Sequence, residues 1–201
     1  LSMGISVADA GLLNTMYSYG AAFGVPVALI LFRKIERTKM LKTMLFITIL
    51  MTLALVLAQS FWQLLIIRLA MGVSANCYSV LAISVVASLT APERLGRSMA
   101  ILIAGNASAL VIGIPLTRAL SAILVWKSVL WILIGMMVLA LIYFVLRLPR
   151  VAPDTSTLHL RPELALFRDG QVLVGILYSL FTFLGYGSLY TYTTPLSLHV
   201  S

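Results

Sequence analysis

The chain has 201 residues, 61% of them hydrophobic and only 10% charged, with a mean hydropathy of +1.07. A soluble domain of this composition would lack the polar groups to cover its surface, so the chain reads as an integral membrane protein. The net charge of +8 does not point to nucleic acid, because the basic residues sit in short segments between apolar runs, where a positive-inside bias places them.

The apolar runs lack the alternation, over segments of about ten residues, that a membrane β-barrel needs, so the spans are helices. The first runs from about Asp9 to Phe32, with Asp9 as its N-cap. Gly20 and Gly24 form a small-xxx-small pattern that admits a second helix closely, and Pro26 should bend the far half. Asn14, Tyr17 and Ser18 share a polar, inward-looking face.

The segment from Arg33 to Lys42 is expected to be a compact loop with five basic residues, Arg33, Lys34, Arg37, Lys39 and Lys42. A second span, about Thr43 to Gln59, is interrupted only by threonines and is expected to face lipid. The short turn that follows carries Phe61 and Trp62, aromatics suited to a membrane interface.

A third span reaches to about Thr90 and carries Arg68 into apolar surroundings. An unpaired guanidinium in hydrocarbon costs about 2.5–3.5 kcal/mol on insertion scales, so Arg68 must face protein or water. Helical spacing puts Arg68, Gly72, Asn76 and Ser79 on one face. Two readings stay open for Arg68: a charge that snorkels to the membrane boundary, and a charge that lines an internal cavity. Cys77 is the single cysteine and lies within this span, which leaves no disulfide or zinc site from this chain alone.

The fourth span, about Ser98 to Leu120, has a second small-residue stripe at Gly105, Ala109 and Gly113. Gly113 with Pro115 marks a kink, and Asn106 adds an amide at membrane depth, either an interhelical hydrogen bond or a ligand contact. A fifth span covers about Ser128 to Leu146. Residues 149–170 form a polar linker with three prolines and a short amphipathic stretch, and a sixth span runs from Gln171 to about Leu198, with Tyr186, Tyr190 and Tyr192.

Eleven basic residues lie in the segments after spans one, three and five, against only Arg118 and Lys127 on the other side. The eleven are therefore expected in the cytoplasm. Both ends of a six-span chain then lie outside, so one more helix is expected before Leu1. Three domains follow: residues 1–148 as an N-terminal bundle lacking its first helix, 149–170 as a cytoplasmic linker, and 171–201 as the first helix of a C-terminal bundle.

Four stretches carry a family resemblance: Asp9 to Gly20 followed by Gly24-Val-Pro26, the Arg33 to Leu41 loop, Arg68-Leu-Ala-Met-Gly72, and Gly105 to Leu116 followed by Val125-Trp126-Lys127. In order and spacing they resemble the major facilitator superfamily, in its bacterial drug and sugar efflux branch that includes arabinose-efflux-type permeases. The six spans would be family helices two to seven. Where the family loop usually has an acidic residue and a glycine, this chain has Arg33 and Glu36. Thr117 and Lys127 replace a frequent glycine and arginine.

The resemblance implies an all-α bundle, multi-pass in the inner membrane, that exports a small solute, sugar or drug-like, in exchange for protons. Arg68 would couple protons to conformation, and Asn14, Tyr17, Asn76, Asn106, Tyr190 and Tyr192 would contact solute. Gly20, Gly24, Pro26, Gly72, Gly105, Gly113 and Pro115 would serve packing and gating, and Arg33, Arg37 and Lys39 the cytoplasmic loop. The partners expected are the lipid bilayer, a small solute, protons and the missing helices of the same transporter. No acidic residue lies at mid-depth in a span, so a proton carrier would come from those missing helices. A second reading is a truncated, non-transporting fragment that needs partner helices. An intramembrane enzyme has little in its favour: there is no His-Glu-x-x-His or Gly-x-Ser-x-Gly motif, both histidines lie at loops or ends, and nothing signals a cofactor or metal.

Overall fold

A computed structural model describes residues 7–152, 170–182 and 184–185. It divides into two compact units, Leu1–Thr155 and Ser156–Ser201. Among the described residues every regular element is helical. The fold is an all-α membrane bundle, incomplete in the number of helices it contains.

The first span is continuous but not uniform: α1 (Val7–Tyr19), a π-helical turn (Gly20–Gly24) and α2 (Val25–Leu31). The wide turn sits just before Pro26, which has no N–H to donate and whose ring crowds the preceding turn of a regular helix. Asp9 is not the N-cap. The helix begins at Val7, and Asp9 lies in its first turn, near the positive end of the helix dipole.

Next come α3 (Arg37–Leu57) and α4 (Phe61–Leu89). The Ser60-x-x-Gln63 sequence is a capping box, and Gln63 Oε1 accepts the backbone N–H groups of Gln59 and Ser60 at 3.1 and 3.2 Å. The fourth span is broken into α5 (Pro92–Val111) and α6 (Gly113–Ile123) at Ile112, just before Gly113 and Pro115. The fifth span is α7 (Trp126–Arg147). Four segments are long and apolar enough to cross a membrane: Arg37–Leu57, Phe61–Leu89, Pro92–Ile123 and Lys127–Arg147. In the second unit, α8 (Gly170–Thr182) is apolar but shorter, and the rest of the expected sixth span and the amphipathic stretch of the linker lie outside the described residues.

Two expectations are corrected here. The segment after Phe32 is not a loop as far as Lys42, since α3 starts at Arg37 and takes Arg37 and Lys39 into its first turn. A helix continues past its apolar stretch where basic side chains can hold their charges in the headgroup region. Nor is the second span open to lipid all round: one side is packed against protein, while Phe46 and Leu50 stay exposed. Thr38, Leu41, Leu45, Thr48 and Thr52 of α3 are all buried, spaced alternately by three and four residues in the manner of a packing seam.

Around that seam α3 packs against α4 and α7, while α1, the π turn and α2 pack against α4. One apolar cluster joins Val25, Ala28, Met40, Leu41, Met44, Cys77 and Leu81. A second joins Leu45, Ile49, Val56 and Ile134. Tyr78 of α4 stacks on Phe144 of α7, with ring centroids 6.4 Å apart. By contrast, among the described residues α5 and α6 touch only their neighbours in the chain, and α5 has no buried residue.

A polar site at the crossing of the first and third spans

The close approach of the first span to α4 depends on residues without side chains. A Cβ on Gly72 would run into the carbonyl oxygen of Tyr17 and lie 2.9 Å from its carbon. A Cβ on Gly20 would likewise strike the Leu69 carbonyl, and one on Gly24 the side chain of Val73. Glycine at Gly20 and Gly72 therefore lets two backbones touch where any other residue would push them apart.

This approach brings Tyr17 to Asn76. Asn76 Nδ2 donates to the Gly72 carbonyl at 2.8 Å and to the Tyr17 hydroxyl at 3.2 Å. Asn76 is at the middle of the 29-residue helix α4, so the contact lies near the centre of the span. The next residue, Cys77, is 0% exposed, its Sγ 4.0 Å from the Val25 carbonyl.

Arg68 occupies the same face of α4, two turns before Asn76. It is half-buried, and its Nε is sealed from solvent without a hydrogen-bond partner among the described residues. A guanidinium has five N–H donors and no way to shed its charge, so this one requires water or an acceptor beyond those residues.

Asn14 is exposed on α1, its carbonyl accepting the Ser18 hydroxyl at 3.1 Å. Asn106 is exposed on α5, and a Cβ on Gly105 or Gly113 would meet nothing within 4 Å. Pro115 is exposed as well. The structure therefore joins Tyr17, Gly20, Gly24, Gly72 and Asn76, and leaves Asn14, Asn106, Gly105, Gly113 and Pro115 apart from them. Tyr190 and Tyr192 lie outside the described residues. Among the described residues no three His, Cys, Asp or Glu side chains gather as metal ligands.

Some polar contacts escaped the sequence reading. Buried Thr48 and Ser74 bring their hydroxyls to 3.1 Å between α3 and α4. At the end where the basic residues gather, Arg37 donates to the Ser84 hydroxyl, and Thr38 bonds the chain just beyond α7. The three-four spacing of Thr38, Thr48 and Thr52 with Leu41 and Leu45 was the available signal. Arg33 and Lys39 are exposed at this same end.

A family model described as Major Facilitator Superfamily matches residues 1–201. An uncharacterized MFS-type transporter, YbcL, of Bacillus subtilis (strain 168) is 31% identical over 202 residues, covering 100% of this chain and 51% of that protein. A protein named as a probable sugar efflux transporter of Helicobacter pylori (strain P12) is 27% identical over 196 residues, 96% of this chain and 49% of its own length. The MFS-type transporter YfhI of Bacillus subtilis (strain 168), also uncharacterized, is 26% identical over 195 residues, 97% of this chain and 49% of its own. The chain spans about half the length of the curated relatives it matches.

Proposed function

The chain belongs to the Major Facilitator Superfamily, and on that premise we propose that it exports a small solute across the bacterial inner membrane in exchange for protons. Transport in this class of fold proceeds by rocking of two repeats about a site near the midplane. The observation that carries the reading is the polar face of α4, where Asn76 meets Tyr17 at a glycine-mediated crossing and Arg68 lies two turns before it on the same face. The relative from Helicobacter pylori, named as a probable sugar efflux transporter, favours a sugar as the solute, with a drug-like molecule as the alternative.

Arg68 is the coupling residue. Its charge, without a partner among the described residues, is placed to lower the proton affinity of a carboxylate brought opposite it, and solute entry would change that pairing. Among the described residues the acidic side chains Asp9, Glu36 and Glu93 all lie at helix starts rather than at mid-span. Asn14, Asn106, Tyr190 and Tyr192 complete the proposed solute contacts, and the basic end carrying Arg33, Arg37 and Lys39 faces the cytoplasm. Residues 149–170 then connect this bundle to the first helix of a second.

A second reading is that these 201 residues alone do not transport and need partner helices; the uncovered stripe of Gly105, Gly113 and Asn106 favours it. Reconstituting the full chain in vesicles and following solute efflux under an imposed pH gradient separates the two. Gradient-driven efflux supports export, and its absence from folded protein supports the second reading.

A further inference from the structure

The amide of Asn76 has only one workable orientation. The Gly72 carbonyl, 2.8 Å away, can only accept a hydrogen bond, so the Asn76 atom facing it must be the nitrogen. The second N–H of that nitrogen goes to the Tyr17 oxygen at 3.2 Å, so Tyr17 accepts here. Both donors of Asn76 are thereby used. What is left over is one acceptor, Asn76 Oδ1, and one donor, the Tyr17 O–H. Neither bonds any other described residue, and Oδ1 is not sealed off from solvent as Arg68 Nε is.

From this geometry we infer that Tyr17 and Asn76 together read a neutral hydroxyl group on the solute, and so select polyhydroxylated molecules over ions. A hydroxyl is donor and acceptor at once, so it can give its proton to Asn76 Oδ1 while taking that of Tyr17; two adjacent hydroxyls do the same. A carboxylate answers only the Tyr17 donor and repels Oδ1, and an ammonium answers only Oδ1. A solute that displaces water from these groups without answering them forfeits their hydrogen bonds, which is what makes hydrogen-bonding sites selective. The packing explains why the pair is held in place: Gly72 admits the Tyr17 backbone, and the Gly72 carbonyl fixes the amide. The inference rests on the export reading and specifies what that site recognises.

The test compares two probes in proteoliposomes of the full chain: radiolabelled methyl α-D-glucoside and ethidium, a cation without hydroxyls. Tyr17→Phe should raise KM for the glucoside about fivefold, the worth of one neutral hydrogen bond, and leave ethidium unchanged. Asn76→Leu should do the same. One monodeoxy glucoside should lose about fivefold with the unaltered protein and nothing further with Tyr17→Phe. Shielding of Cys77 from thiol reagents reports folding; if Asn76→Leu exposes it, Tyr17→Phe, which keeps the ring, carries the test. Equal changes for both probes, an unchanged glucoside KM, or transport of ethidium alone would overturn hydroxyl recognition and leave export standing. If folded protein moves neither probe, export fails and this inference fails with it.

Discussion

The hydroxyl of Thr38, 1% exposed, donates to the carbonyl of Pro149 at 2.9 Å and accepts the N–H of Val151 at 3.0 Å. A single side chain in the first turn of α3 thus ties down both polar groups of the chain as it leaves α7. Thr38→Val keeps the shape but removes two hydrogen bonds, each worth about 0.5–1.5 kcal/mol net. Thr38→Ser should retain most of the stability. Heating the purified variants with a thiol-reactive dye measures this, because Cys77 is the only cysteine and becomes reactive only when its packing opens.

The two glycine stripes should respond in opposite ways. Gly72→Ala drives a methyl into the Tyr17 carbonyl, and backbone cannot step aside as a flexible side chain can. Overpacking of this kind costs about 1–3 kcal/mol or more. Gly105→Ala and Gly113→Ala meet open space within this unit and should stay within about 0.5 kcal/mol. The midpoint of Cys77 exposure, compared across the three variants, gives the answer.

Between α3 and α4 the Thr48 and Ser74 hydroxyls, 3.1 Å apart, form a buried interhelical contact. Such contacts within membranes average about 0.6 kcal/mol. A double-mutant cycle with Thr48→Val and Ser74→Ala should return a coupling near that size. A coupling of zero would mean that each hydroxyl is satisfied by its own helix, through the Met44 and Met71 carbonyls that they also contact.

Much of the architecture was legible because it follows from local chemistry. Hydropathy marked the spans, Gly113 with Pro115 marked the break between α5 and α6, and the helical spacing of Arg68, Gly72 and Asn76 marked the face of α4 on which Gly72 and Asn76 meet the first span. What escaped the sequence depends on the register of one helix against another. Nothing local reveals that Tyr17 reaches Asn76 across 59 positions, or Thr38 reaches Pro149 across 111. The packed side of α3 escaped because a helix that is apolar on every side fits a protein interior as well as a bilayer, and only its threonine seam distinguished the two. The loop ended too late because basic residues were read as breaking a helix that they in fact extend.

Replacing Arg68 in a gradient-driven efflux assay tests the account most directly. The full chain in vesicles should export methyl α-D-glucoside when a pH gradient is imposed. Arg68→Leu should remove the gradient dependence, lowering the rate at least tenfold, while Cys77 stays shielded; Arg68→Lys should keep part of it, since a compact ammonium retains the charge but not the guanidinium fork. Export by Arg68→Leu at the unaltered rate and with the same dependence on the gradient would contradict it.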